Sequence, residues 1–140
     1  FSMIEHTSER WRAFLLRERK SMKRDMDLVR KILILTSKCD EGLDASAISD
    51  EHNDLQKVLY TMEIMEEAGL IRANIVKAFG GDYVSGFVRS LTWEGNDFLD
   101  AIQSDKVWTQ VKRTIARTTK SASMLVIKKV AEKILSEMLL

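Results

Sequence analysis

The segment that decides the fold is "EHNDLQKVLYTMEIMEEAGLI", which spans residues 51–71. At about 100° of rotation per residue, its apolar side chains gather on one side of a helix and its polar side chains on the other. The predicted core side holds Leu55, Val58, Leu59, Met62 and Met65. Gly69 then ends the helix in the manner of a left-handed cap. The segment therefore predicts an amphipathic helix with one buried face.

The sequence around this helix predicts further elements in a definite order. Apolar residues at helical spacing predict a helix over 23–37, and a turn then leads to a brief helix over 45–49. After the glycine, the apolar period changes to two, which is typical of a strand. "FGGDY" (79–83) is a hairpin turn signal, and residues 84–93 form the predicted return strand, with Gly86 as a candidate bulge. This order favours a winged helix-turn-helix.

Helical segments flank this predicted unit on both sides. An amphipathic helix is predicted over 7–20, and the chain returns to helix after residue 92. The fold class expected is mainly α with a small β-hairpin. We expect three parts, which are an N-terminal helical extension (1–21), a winged helix-turn-helix (22–92), and C-terminal helices (93–140) that pack on the domain or join two copies.

The three tryptophans are predicted to anchor the core, because each lies in an apolar stripe: Trp11, Trp93 and Trp108. The segment over 121–140 is strongly amphipathic, and its predicted apolar face extends from Ile127 to Leu139. Packing of this helix on its own chain is the simplest outcome. Pairing with a second copy is the other outcome, and we expect a homodimer through this helix.

The composition suits one soluble domain. The chain has 140 residues, of which 45% are hydrophobic and 31% charged, which is enough apolar content for a real core. A single cysteine precludes an internal disulfide. The sequence shows neither an apolar run that could span a bilayer nor a signal-peptide pattern. These features predict a cytoplasmic protein that does not associate with membranes.

Charge is strongly segregated along the chain, although the net charge is only +1. Residues 39–69 carry nine acidic side chains and one basic side chain, whereas residues 1–38 carry ten basic and five acidic. Residues 111–140 are again basic, with seven basic and two acidic side chains. The helix at the centre of the predicted fold therefore lies in the most acidic part of the sequence.

Three separated motifs resemble a known family. "MKRDMDLVRKILI" (22–34), "MEEAGLI" (65–71) and "LTWEGNDFLDAI" (91–102) are similar to the bacterial and prophage family catalogued as domain of unknown function 2513. The resemblance covers about residues 22–140 and implies a winged-helix-like fold but no established activity. The chain departs from the family pattern through about twenty extra residues before Met22, and through Thr61 where a histidine often follows the tyrosine.

The sequence shows no constellation of catalytic residues. His6 and His52 are the only histidines, and neither has metal-ligand spacing with Cys39. Glu66 is predicted to point towards the core side and Glu67 outward, so the two do not form an acid/base pair. We therefore expect a protein that is not an enzyme and that uses no cofactor and no metal.

The expected function is binding of double-stranded DNA, as a transcriptional regulator or a phage accessory factor. In helix-turn-helix docking the N-terminal half of the recognition helix meets base edges, where Asn and Gln pair with adenine. Basic residues of the hairpin would reach phosphates. The predicted DNA-contact residues are Asn53, Gln56, Lys57, Tyr60, Arg72, Lys77 and Arg89.

The alternative is a protein-interaction module without enzymatic activity. An acidic winged helix would suit a basic partner, such as a host or defence protein that it binds or inhibits by imitating phosphate. Tyr60 and Ile64 are expected on the same exposed face and would add apolar contact. The sequence leaves both functions open.

Overall fold

The computed structural model describes residues 24–118 and 123–139. Within these ranges the protein is mostly helical with a small antiparallel sheet, as predicted. The predicted helix over 7–20 lies outside the described residues. The elements are α1 (Met26–Ser37), β1 (Leu43–Asp44), α2 (Ala45–Ile48), α3 (Leu55–Glu67), β2 (Ile71–Lys77), β3 (Tyr83–Leu91), α4 (Trp93–Ile102), α5 (Asp105–Thr118) and α6 (Met124–Leu139).

Capping residues set the helix boundaries. Four side chains each accept a hydrogen bond from a backbone N–H in the first turn of the helix that follows them: Asp25, Asp44, Asp54 and Thr92. Such caps satisfy backbone donors that have no partner inside the helix, and each stabilises its helix by about 1 kcal/mol. Gly69 has a φ of +78° just after α3, which confirms the predicted left-handed cap.

The sheet has the strand order β1-β3-β2, with both pairs antiparallel. Its turn contains Gly81 at a φ of +90°, as the hairpin signal predicted. The bulge predicted at Gly86 is wrong, because Gly86 pairs regularly with Ile75 and the register shifts lie elsewhere. A side chain at Gly86 would place its Cβ 2.5 Å from Cδ2 of Leu59. The glycine instead allows α3 to pack closely on β3.

One hydrophobic core joins all the described helices to the sheet. It runs from Leu28 in α1 to Ile134 in α6 and includes fully buried residues of α3, such as Leu59 and Met62. Burying a side chain of this size stabilises the fold by about 1.5–3 kcal/mol. The helices α4 to α6 therefore share a core with the part that precedes them.

The tryptophans differ from one another in their burial. Trp108 is buried, as predicted, and its Nε1 donates a hydrogen bond to Asp27 Oδ1 over 2.8 Å. The prediction for Trp93 is wrong, because this side chain is 78% exposed. At about 100° per residue, Trp93 lies roughly opposite the face of α4 that holds the buried Phe98. Trp11 lies outside the described residues.

The C-terminal helix packs on its own chain. Ile127, Ala131 and Ile134 are buried where α6 contacts α4 and α5. The predicted apolar face is only partly covered, because Met138 is 43% exposed and Leu139 is 80% exposed. None of the described helices is long and apolar enough to cross a membrane.

Candidate interaction surface around helix α3

A short, well-bonded loop leads into α3. The Asp50 side chain accepts hydrogen bonds from the backbone N–H groups of His52 and Asn53, each at 2.8 Å, and it pairs with Lys31. The hydrogen bond from Lys31 is the largest cause that lowers the pKa of Asp50 to about 2, and the two backbone donors add to it. Asp50 therefore fixes the loop that carries Asn53, which is half-buried.

Both polar atoms of the Gln56 side-chain amide form hydrogen bonds with the hairpin. Its Nε2 donates to the carbonyl of Tyr83 over 2.7 Å, and its Oε1 accepts from the Tyr83 N–H over 3.2 Å. This pair of bonds joins the first turn of α3 to the start of β3. Reading an adenine would require Gln56 to give up both bonds.

Lys57 points towards α1. Its Nζ lies 2.8 Å from Oδ2 of Asp25, the residue that caps α1, and its side chain is 25% exposed. Tyr60 is also half-buried and packs against the core. Ile64 is half-buried as well. The predicted outer face of α3 is therefore more enclosed by the protein's own side chains than the sequence pattern indicated.

Two of the three hairpin cations contact their own chain. Lys77 Nζ lies 2.8 Å from the Glu63 carboxylate and 4.9 Å from the ring centre of Tyr83, and the hydrogen bond with Glu63 raises the pKa of Lys77. Arg72 donates to Ser90 Oγ and to the Leu91 carbonyl, both over 3.3 Å. Arg89 is exposed and forms no ion pair within the described part of the chain.

The acidic residues in the last turn of α3 have no such partners. Glu66 and Glu67 are exposed, and neither forms an ion pair within residues 24–118 and 123–139. The prediction that Glu66 faces the core side is wrong, because the buried face of α3 is centred on Val58, Met62 and Met65 and leaves Glu66 at its border. The exposed end of α3 therefore carries two carboxylates without an ion-pair partner among the described residues.

Two open depressions adjoin this acidic end. One, of about 570 Å³, lies between α3 and β2. The other has a volume of about 470 Å³. It is lined by Arg24 and Met124, which are far apart in the chain, and by Tyr60, Ile64 and Glu67 of α3. Neither depression was predictable from the sequence, because both depend on contacts between residues far apart in the chain. Among the described residues, no group of three or more His, Cys, Asp or Glu is placed to hold a metal ion.

The comparisons with known proteins identify a family. The family of hypothetical proteins described as DUF2513 matches residues 23–122. This chain belongs to that family. An uncharacterized protein of Haemophilus influenzae is 36% identical over 120 residues, which cover 84% of this chain and 99% of the relative. No solved structure matches the chain.

The DUF2513 match extends from α1 to α5 and includes the whole of α3 and the hairpin. Thr61, the position where the resemblance implies a histidine, is buried in this member of the family. Its Oγ1 donates a hydrogen bond to the Lys57 carbonyl over 2.8 Å. In this chain the position serves the packing of α3 and is not part of its outer face.

Proposed function

We propose that this DUF2513 member is a cytoplasmic, non-enzymatic winged-helix module that binds another protein through the acidic outer face of α3. The element order and the strand order β1-β3-β2 support a winged-helix arrangement, in which α3 takes the place of the recognition helix and β2–β3 that of the wing. Fold alone does not give function. The choice of a protein partner rests on the charges and contacts of α3.

The main support for this proposal is that, in the described part of the chain, the lysines near this face are paired, whereas an acidic side chain on it is not. Lys57 and Lys77, which would have met phosphates, are paired with Asp25 and Glu63. Glu67 remains exposed and without an ion-pair partner among the described residues. Phosphate neutralisation dominates affinity for DNA, so an acidic face opposes it. The same face attracts a basic protein surface and speeds its association.

Apolar groups beside these charges support a protein contact. Tyr60 and Ile64 are half-buried and line the depression of about 470 Å³ next to Glu67. Tyrosine is enriched among the residues that dominate binding energy, where it sits in a pocket and is surrounded by polar groups. A basic partner with one apolar side chain would therefore find both kinds of contact here.

The test is capture of a partner from nuclease-treated host lysate by the full chain. We expect a protein to be retained, and Glu67→Lys to weaken its binding at least about tenfold, because an attractive charge becomes repulsive. Asp97→Lys is the matched control, since Asp97 is an exposed acid of α4, and it should bind as the unchanged protein does. A captured protein that binds the Glu67→Lys variant as tightly as it binds the unchanged protein would contradict the proposal.

Duplex DNA is the second candidate ligand, for a regulator or a phage accessory factor. It is favoured by the exposed Arg72 and Arg89 on the hairpin and by Asn53 at the entry to α3. A mobility shift at about 50 mM salt distinguishes the two, because phosphate contacts hold strongly there. A shift that Arg89→Glu abolishes, and that Arg113→Glu on α5 leaves unchanged, would favour DNA over the protein partner.

A further inference from the structure

Strand β2 has a free edge. In the strand order β1-β3-β2 it pairs with β3 on one side, and within the described part of the chain no strand pairs with its other side. The residues of its middle, from Ala73 to Val76, all line the depression of about 570 Å³. Side chains of a strand alternate between two faces, so four consecutive residues at one depression present their backbone to it.

The opposite wall of this depression is acidic. It consists of Glu63, Glu66 and Glu67 from the last two turns of α3. Glu63 is bonded to Lys77, whereas the other two carboxylates are exposed and have no ion-pair partner within the described residues. The free edge of β2 and two exposed carboxylates therefore face the same open space.

The middle of the β2 edge, from Ala73 to Val76, is open to pairing, although register irregularities and the charged Arg72 and Lys77 lie at its two ends. Exposed edges are commonly protected by a proline, a short strand or a covering loop. The chain has no proline, β2 is seven residues long, and the depression beside it is open. Val76 adds an exposed apolar side chain near the end of the strand. This edge is suited to receive another strand.

We propose that an extended, basic segment of another protein adds to β2 as a fourth strand, with its lysines or arginines facing Glu66 and Glu67. This proposal rests on the proposed protein-binding function and specifies how the partner binds. Backbone hydrogen bonds would give affinity in such strand addition, and side chains facing one wall would give specificity. A second copy of this chain is a poorer occupant, because the middle of its own β2, from Ala73 to Val76, carries no basic side chain to meet this wall.

The experiment uses the full chain and the synthetic peptide acetyl-Lys-Val-Lys-Val-Lys-Val-Lys-amide. We expect saturable binding, with slower amide hydrogen exchange confined to residues 71–77. A peptide N-methylated at alternate residues keeps the charge and loses one row of N–H donors, so it should bind at least about tenfold more weakly. A peptide with glutamate in place of lysine should not bind.

Variants test the acidic wall. Glu66→Lys should weaken the lysine peptide at least about tenfold, because it reverses a charge beside the added strand. Asp97→Lys should bind the peptide as the unchanged protein does. Equal binding of the N-methylated peptide, or no binding at millimolar peptide, would overturn strand addition. If a lysate partner still depends on Glu67 in that case, the proposed function stands and strand addition alone fails.

Discussion

At the scale of single residues, Gly95 marks a close approach of α4 to the turn between α3 and β2. A Cβ atom at this position would lie 1.9 Å from the Leu70 carbonyl oxygen and 2.9 Å from its carbon. The neighbouring Thr92 N–H donates to the same oxygen over 3.0 Å, and Thr92 Oγ1 donates to the Gly69 carbonyl. The glycine therefore allows α4 to dock against backbone, which a side chain could not displace cheaply.

Gly95→Ala should destabilise the protein by about 2 kcal/mol or more, because the new methyl group collides with backbone. The clash outweighs the gain of about 1 kcal/mol that alanine brings to a helix. Urea unfolding followed by circular dichroism measures the change. Gly80→Ala is the control, since nothing lies within 4 Å of a Cβ there. A Gly95→Ala protein as stable as the original would contradict the close approach.

Residue types indicate caps more readily than partners. Asp54 and Thr92 are residue types that favour capping, and a cap is a local hydrogen bond within one turn. The partner of Lys57 was not recognisable, because Asp25 lies 32 positions away and a helical wheel gives a direction but no neighbour. The same limit applies to Gln56 and Tyr83.

Sequence spacing therefore does not reveal the internal partners of four predicted DNA-contact residues: Gln56, Lys57, Arg72 and Lys77.

At the scale of elements, a set of polar contacts, here called the clamp, joins α1 to α5 and to the turn that precedes α5. Asp27 Oδ1 accepts from Trp108 Nε1 over 2.8 Å and from Lys112 Nζ over 3.0 Å. Arg30 donates to the Ile102 and Gln103 carbonyls and pairs with Asp105. Burial raises the pKa of Asp27, but the bonds from Trp108 and Lys112 outweigh burial, so its pKa is lowered. The ionised form of Asp27 therefore stabilises the fold.

Asp27→Asn should cost about 1 kcal/mol at neutral pH, since the charge is lost but an oxygen that accepts from Trp108 remains. A lowered folded-state pKa means that the contribution is present above the ordinary value of 3.8 and is lost as the pH falls through the folded value. The stability gap between the two proteins, measured by urea unfolding from about pH 7 down to about pH 2, should therefore close in acid.

The control for this clamp is Asp100→Asn, which removes an exposed acid of α4 that has no ion-pair partner among the described residues. Its unfolding free energy should stay within about 0.5 kcal/mol of the original at every pH. A gap between the Asp27→Asn protein and the original that stays constant with pH would indicate that only packing was changed. That result would exclude an electrostatic clamp between α1 and α5.

Elements whose apolar residues recur at a regular spacing were predictable from the sequence, whereas very short elements were not. The helices α1 and α3 and the strand β2 follow their apolar periods, whereas β3 was predictable from the turn signal that precedes it. Strand β1 was missed because it has two residues, and two residues carry no period. It appears only through its pairing with β3, where Leu43 lies opposite Val88. A contact that completes a sheet therefore depends on the tertiary fold.

At the scale of the whole molecule, α6 joins the core through one face and leaves apolar groups outside. Leu125 is 61% exposed and Leu139 is 80% exposed, while Ile127 and Ala131 are buried between α6 and its neighbours. The sequence predicted an amphipathic helix but could not say how much of the apolar face its own chain covers. Each leucine side chain withdrawn from water would contribute about 1.5–3 kcal/mol, which favours pairing of two copies through this helix.

The prediction of a homodimer through α6 is tested by light scattering of the full chain at micromolar concentration. We expect about twice the mass of one chain, which is 16.1 kDa. Leu125→Lys with Leu139→Lys should shift the mass to one chain, because the exposed apolar contacts are replaced by like charges. Gln103→Lys, an exposed change outside α6, should leave the dimer intact. A mass of one chain for the unchanged protein would remove the dimer, and the exposed leucines would then have to meet a different partner or solvent.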